Sequence, residues 1–158
     1  MMKYLFRARR RDHCGWCQGA YINVFEPEIV GNHGWLHVFP QTIGQFTGQT
    51  DRTGANVFEG DVLFWKEREQ EHCVTPLFTK TGVVRFGEYK NPMGAEDEIH
   101  LGFYVDWKKG DLPIARKDLL FWLTTDSLKD GAVVIGNIYD NPELLEPDAG
   151  SGAEGETP

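Results

Sequence analysis

Short runs in which apolar and polar residues alternate recur along most of the chain, separated by residues that favour turns. A period of two places successive side chains on opposite faces of a β-strand, and short apolar runs between turns are typical of buried strands. The pattern therefore predicts a chain built mainly of short strands. The alternating runs cover residues 3–9, 35–39 and 81–87, a continuous apolar run covers residues 62–65, and residues 21–25, 102–107 and 133–139 are further predicted strands.

Turn signals lie between these runs. Residues 10–19 are polar and contain glycine, which suits a hairpin loop between the first two strands. Asp51 and Gly54 occupy the first and last positions favoured in a type I turn, and residues 59–61 predict a second tight turn. Residues 67–75 are strongly charged, which predicts a solvated loop.

Helix signals are few. Residues 115–123 fit a strand and a helical turn equally well, and residues 125–127 favour a cap or a turn. Asn141 followed by Pro142 predicts the N-cap and the first position of a short helix.

Many short strands with little helix predict a mainly β fold, either a barrel or a sandwich. One part is similar to the early strands of SH3-like barrels, because a Gly60-Asp61 turn opens a strand and Gly82 allows the next strand to bend. We therefore expect an SH3-like element between residues 45 and 140.

The length of 158 residues fits a single domain, which we expect to cover residues 1–147. Within it the pattern predicts an N-terminal hairpin in residues 1–44 and a barrel-like part in residues 45–145. Residues 148–158 are rich in Gly, Ala, Ser, Glu and Pro, which predicts a disordered acidic tail.

Separated sequence blocks, taken in order, resemble the YopX family of small proteins carried by phages and prophages. The blocks are residues 3–8 (KYLFRA), residues 47–62, residues 82–86 (GVVRF) and residues 135–144 (IGNIYDNPEL). The resemblance covers residues 3–145. It implies a small protein of a phage or mobile element that acts in a bacterial cytoplasm and associates with itself. It implies no known reaction and no catalytic residues.

The charge distribution limits the partners. The formal net charge is −8 at pH 7, whereas the first 12 residues carry five bases and one acid. A chain that is acidic over most of its length has no broad basic surface, which excludes an extensive phosphate-binding face. The start of the chain lacks the apolar core of a secretion signal, and no segment approaches the ~20 apolar residues that span a membrane. We therefore expect a cytoplasmic protein in a bacterial host.

Cysteine and histidine positions give a weak metal signal. Cys14 and Cys17 form a C-x-x-C pair. A structural zinc site needs four ligands, and His72 and Cys73, with His13 as a spare, are the candidates to complete it. The favoured alternative is reduced cysteines in a loop, because an odd count in a cytosolic chain does not predict a disulfide framework. We expect neither a metal ion nor another cofactor.

Catalytic signatures are absent from the sequence. The chain has no nucleophile elbow, no phosphate-binding loop and no paired carboxylates at a recognisable spacing. Asp61 is predicted to accept hydrogen bonds from nearby backbone amides rather than to act as a general base. The sequence therefore predicts a protein that is not an enzyme.

Arginines near the N-terminus form one candidate binding site. On a strand, Arg7, Arg9 and Arg11 project from one face and could engage phosphates or an acidic partner. The alternatives are a solvated edge strand that its charge protects from aggregation, or pairing with acidic residues elsewhere in the chain.

Aromatic residues form the other candidate surface. Trp65, Tyr104 and Trp107 could stack on bases or contact a protein, whereas core packing or an oligomer interface would also explain them. The preferred hypothesis is a non-enzymatic accessory protein that binds a protein partner, including its own copies, through aromatic and edge-strand surface. The alternative is a nucleic-acid-binding β-barrel protein that uses the Arg7–Arg11 strand.

Overall fold

The computed structural model describes residues 5–23, 26–32, 34–66, 78–92, 94–95, 98–110, 116–123 and 131–147. Within these residues the chain forms ten strands, one short α-helix and two 3₁₀ helices. The strands are β1 Phe6–Arg9, β2 Trp16–Asn23, β3 Pro27–Gly31, β4 Gly34–His37, β5 Gly44–Thr50, β6 Asn56–Phe58, β7 Asp61–Lys66, β8 Thr79–Tyr89, β9 His100–Gly110 and β10 Val133–Asn137. The α-helix α1 is Leu119–Leu123, and the 3₁₀ helices are Pro40–Thr42 and Pro142–Leu145.

The first sheet contains six antiparallel strands in the order β4-β3-β2-β1-β5-β6. After β4 the chain returns to the end of β1, where Val38 forms an isolated antiparallel β-bridge with Arg10. Its small core comprises the buried residues Ala8, Cys17, Ile29 and Val38. Because β1 pairs with β2, with β5 and, at its end, with the chain after β4, this strand is held from several directions.

Close backbone approach in the first sheet depends on Gly19. A Cβ atom at this position would lie 2.1 Å from the carbonyl oxygen of Val30 on β3. Since no real Cβ contact is that short, only glycine allows β2 and β3 to pair at the observed spacing.

The second sheet contains four antiparallel strands in the order β10-β7-β8-β9. β8 and β9 pair from Lys80 to Tyr89, whereas β7 pairs with β8 only as far as Val83. The outer part of the β8–β9 hairpin, residues 85–89 and 100–104, therefore extends past the end of β7. We call this two-stranded extension the ribbon.

The main hydrophobic core lies between one face of the second sheet and α1. It comprises Val57, Leu63, Val84, Val105, Leu119, Trp122, Leu123 and Ala132. The pattern LLFWL of α1 buries Leu119, Trp122 and Leu123, three and four residues apart, which is the spacing of one helical face. No helix in the described part of the chain is long and apolar enough to cross a membrane.

The prediction of a mainly β fold is confirmed. The described strands form two open antiparallel sheets and no closed barrel, so the SH3-like element stays a prediction. β5 crosses the predicted boundary between residues 44 and 45 and β6 lies beyond it, yet both belong to the same sheet as β1.

Three local predictions differ from the structure. The predicted loop at residues 10–19 is shorter, since β2 already begins at Trp16. β3 was not predicted, because it begins with Pro27 and a glutamate. Asn141 does not cap the 3₁₀ helix with its side chain; its Oδ1 instead accepts a hydrogen bond from the Asn137 N–H at 3.3 Å. The predictions for residues 67–75, 125–127 and 148–158 lie outside the described residues.

Candidate functional site

Arg7 of β1 points between the two sheets. Its guanidinium carbon lies 4.9 Å from the ring centroid of Trp16 and 4.7 Å from that of Phe58. Its Nη2 lies 2.6 Å from Asp61 Oδ1, and the two side chains are 14% and 1% exposed. The guanidinium is therefore held by this ion pair and by the two aromatic rings. Arg7 is thus withdrawn from the surface.

Asp61 opens β7 directly after the predicted Gly60 turn. Its Oδ2 accepts a hydrogen bond from the Phe58 N–H at 2.8 Å, which confirms that it binds a nearby backbone amide. Burial raises the pKa of this carboxyl, and the charge of Arg7 opposes the rise without cancelling it. Asp61 is therefore a buried ionic partner that links the sheets.

Asp140 extends the same junction to the segment after β10. Its carboxylate lies 3.4 Å from Arg9 Nη2 and accepts hydrogen bonds from Trp16 Nε1 at 2.7 Å and Asn137 Nδ2 at 3.0 Å. The hydrogen bond that the Asn137 side-chain amide donates is the largest of the causes that lower the pKa of Asp140. Arg9 is therefore also engaged by an acidic residue of the chain.

The sequence blocks that carry the family resemblance meet at this junction. Arg7 comes from the first block, Asp61 from the second and Asp140 from the last, and all three contact one another directly or through Trp16. The residues of three of these blocks therefore join the two sheets.

Arg11 lies beyond the end of β1 and is half exposed. Its Nε donates a hydrogen bond to the Val38 carbonyl at 3.1 Å, and its Nη1 lies 3.3 Å from Glu26 Oε2. Arg7, Arg9 and Arg11 thus each lie beside an acidic residue of the chain, which was one of the alternatives to a binding site. The sequence could not identify these partners, because they are distant along the chain.

The predicted aromatic residues are half-buried and packed against the core or a neighbouring ring. Trp65 and Trp107 contact Trp122 at centroid distances of 5.1 and 4.9 Å. Trp107 Nε1 also donates to the Arg116 carbonyl at 2.9 Å. Tyr104 stacks on Tyr89 at 5.1 Å. Trp65 and Trp107 therefore pack against the main core, as the alternative explanation holds, and Tyr104 packs against a neighbouring ring.

The two cysteines of the C-x-x-C pair lie in different surroundings. Cys14 is exposed, whereas Cys17 is a buried β2 residue whose thiol donates to the Ala8 carbonyl at 3.5 Å. Burial raises the pKa of the Cys17 thiol. His72 and Cys73 lie outside the described residues, and in the part that is described no three His, Cys, Asp or Glu side chains are grouped as metal ligands.

The ribbon exposes an apolar patch that the sequence analysis did not single out. Leu101 is 73% exposed, Ile99 58% and Phe86 50%. Phe86 lies opposite Phe103 across the ribbon, with ring centroids 5.0 Å apart, and Leu101 lies opposite Glu88. Opposite residues share a face of an antiparallel pair, so Phe86 and Leu101 point the same way. We call Phe86 and Leu101 the apolar patch; Ile99 precedes β9 and lines a pocket with Tyr89 and Tyr104 instead.

The other face of the ribbon is held by hydrogen bonds. Tyr89 Oη donates to Asp118 Oδ1 at 2.6 Å, and its ring stacks on His100 at 5.2 Å. Burial, as the larger cause, and this hydrogen bond together raise the pKa of Tyr89 to about 12. Asp118 also accepts a hydrogen bond from Asn91 Nδ2 at 2.9 Å. These contacts fix the ribbon against the segment that leads into α1.

A cavity of about 350 Å³ adjoins this network and is lined by Asn91, Pro92, Gly94, Glu98, His100 and Arg116. Both polar atoms of the Asn91 side chain are engaged, since its Nδ2 donates to Asp118 and its Oδ1 accepts from the Lys117 N–H at 2.8 Å. Arg116 Nε is likewise engaged by Asp118 at 2.5 Å. The polar groups at this cavity thus mainly stabilise the ribbon.

Comparison with models of known protein families agrees with the sequence resemblance. The family model described as YopX protein matches residues 10–146. The crystal structure of protein EF1440 from Enterococcus faecalis is similar with a TM-score of 0.45 and 20% sequence identity, covering 92% of this chain and 100% of that chain. No curated protein matches the chain significantly. Because the family model spans most of the sequence, the chain belongs to the YopX family.

Proposed function

We propose that this YopX-family protein is a non-enzymatic accessory protein that binds a protein partner through the apolar patch on the ribbon. The role within a phage or prophage and the action in a bacterial cytoplasm, which the family resemblance implies, are part of this proposal. The single observation that supports it most is the exposure of Leu101 and Phe86 on one face of the ribbon.

Contiguous exposed apolar side chains are typical of interaction sites, because leaving them in water costs free energy that a partner recovers by covering them. The ribbon is anchored at its base by the second sheet and on its other face by Tyr89 and Asp118. A partner therefore meets a preformed surface and loses little free energy in ordering it.

The paired arginines favour this proposal over the nucleic-acid alternative. Arg7 and Arg9 contact Asp61 and Asp140, so phosphates would have to displace carboxylates that are already in place. No contact among the described residues favours nucleic acid binding. The experiment below therefore includes a nuclease treatment that tests for it.

The experiment is a tagged pull-down from host lysate, with and without nuclease, read by mass spectrometry. The variant Leu101→Glu places a charge in the apolar patch, and Trp35→Glu is the matched control, since Trp35 is 62% exposed but lies on β4 of the first sheet. We expect a stoichiometric protein that survives nuclease, is retained by Trp35→Glu and is lost with Leu101→Glu. Recovery that collapses with nuclease, or that Leu101→Glu leaves intact, would refute the proposal.

A further inference from the structure

The backbone of the ribbon has an open hydrogen-bonding edge. The Val84 carbonyl accepts from the Gly60 N–H at 2.9 Å and therefore points away from β9. Along an antiparallel strand, residues two apart direct their N–H and C=O groups to the same side. The backbone groups of Phe86 and Glu88 consequently point to this side as well.

The opposite edge of the ribbon supports this assignment. Val105 lies opposite Val84, and its N–H donates outward to the Lys117 carbonyl at 2.8 Å. The β9 edge is thus covered near Val105 by the segment before α1. Within the described residues, no such segment hydrogen-bonds to the outward groups of Phe86 and Glu88 on β8.

We propose that a second copy of this chain adds its own β8 antiparallel to this open edge, so that two ribbons form one four-stranded sheet across a twofold axis. This inference rests on the proposed function, because it takes the ribbon to be the binding surface and names its occupant. An unpaired strand edge beside exposed apolar side chains is a template for another strand.

The hydrogen-bonding pattern selects one register. With Gly87 opposite Gly87 of the second copy, Phe86 lies opposite Glu88 of the second copy and the reverse pair also forms. Each such pair exchanges two backbone hydrogen bonds, so all outward groups of Phe86 and Glu88 are satisfied. A shift that places Phe86 opposite Phe86 of the second copy would place Glu88 of that copy opposite Val84. This pair would need the Val84 carbonyl, which already accepts a hydrogen bond from the Gly60 N–H.

Avoidance of like-charge contacts favours the same register. In it, Arg85 lies opposite Tyr89 of the second copy, and Glu88 faces an aromatic ring instead of a like charge. A shift in the other direction places Glu88 opposite Glu88 of the second copy, which is unfavourable. Since both copies carry a net charge of −8, an increase in salt should screen their repulsion and tighten the dimer.

The test is the mass of the full chain in solution over a range of concentrations, by light scattering after gel filtration. The wild-type protein should be a dimer. Phe86→Glu places a like charge opposite Glu88 and should give a monomer, whereas Phe86→Lys places an opposite charge there and should keep the dimer. Both variants remove the same apolar ring, and repeating the comparison at high salt screens the difference in net charge between them, so that the direct contact with Glu88 is what separates them.

A second pair of variants tests the open edge. Glu88→Pro removes an outward N–H without removing a bond to β9, and it should give a monomer, whereas Glu88→Ala should stay dimeric. Circular dichroism and urea midpoints check that all variants fold. A wild-type monomer at every concentration, equal behaviour of the two Phe86 variants, or a dimeric Glu88→Pro would overturn the inference. A monomer that still captures a partner through Leu101 would leave the proposed function standing.

Discussion

Arg7 Nη2 lies 2.6 Å from Asp61 Oδ1, and this ion pair joins β1 of the first sheet to β7 of the second. Both groups are largely removed from water, and the rings of Trp16 and Phe58 surround the guanidinium. Removing one partner would leave a buried charge without compensation, which is costlier than removing both.

Asp61→Ala should therefore lower the free energy of unfolding by about 3–5 kcal/mol. The double variant Arg7→Met with Asp61→Ala should lose less than the sum of the two single variants, because no charge is then stranded. Urea denaturation of the four proteins in this cycle measures the coupling. Additive losses would show that the ion pair does not link the sheets.

Alkaline pH should weaken the ribbon through Tyr89. Its folded pKa of about 12 lies above the ordinary value of 10.0, so the folded state holds this proton more tightly than the unfolded state. The stabilisation is complete below pH 10.0 and is lost as the pH rises towards about 12.

Tyr89→Phe removes the hydrogen bond to Asp118 and should lower stability by about 1 kcal/mol near neutral pH. The difference from the wild-type protein should then shrink above pH 10.0, since the wild type loses the same contribution by ionisation. Urea midpoints measured from neutral to alkaline pH report this difference. A gap that stays constant over the whole range would contradict the assigned role of Tyr89.

Gly19→Ala should destabilise the first sheet by about 1–3 kcal/mol or more, because the added Cβ would lie 2.1 Å from the Val30 carbonyl oxygen. Gln18→Ala is the matched control, since Gln18 is an exposed neighbour on the same strand. Thermal unfolding compares the three proteins. Equal midpoints for both variants would show that β2 and β3 can separate at no cost.

Nucleic acid binding should be weak, because Arg9 and Arg11 contact Asp140 and Glu26. We expect no complex with a DNA or RNA fragment at moderate salt, and no change when Arg9 and Arg11 are both replaced by alanine. Fluorescence anisotropy over a salt series checks this. Tight binding that falls steeply with salt and disappears in the double variant would instead support the nucleic-acid alternative.

Local signals predicted much of the fold. The turn from Asp51 to Gly54 is present, with the Gly54 N–H donating to the Asp51 carbonyl at 3.0 Å, and the strand predictions around residues 62–65 and 102–107 match β7 and β9. These features depend on neighbours in sequence, so composition and period suffice to find them.

The candidate surface could not be predicted in the same way. In the sequence, Phe86 and Leu101 resemble any other apolar strand residues. Only the structure shows that the pairing of β7 with β8 stops at Val83, which leaves their part of the hairpin uncovered. The destination of Arg7 likewise depends on Asp61, which is distant along the chain. Long-range packing decides both, and alternation within a strand carries no information about it.

The central claim, that the ribbon is the binding surface, is tested most directly by hydrogen exchange of the backbone amides in residues 85–89. Exchange is measured on the protein alone at low concentration and again with the partner recovered by the pull-down, or with a second copy at high concentration. The account predicts slower exchange of the Phe86 and Glu88 amides in the bound state, while the edge strand β4 stays unchanged. Unchanged exchange in the ribbon, with protection elsewhere, would contradict it.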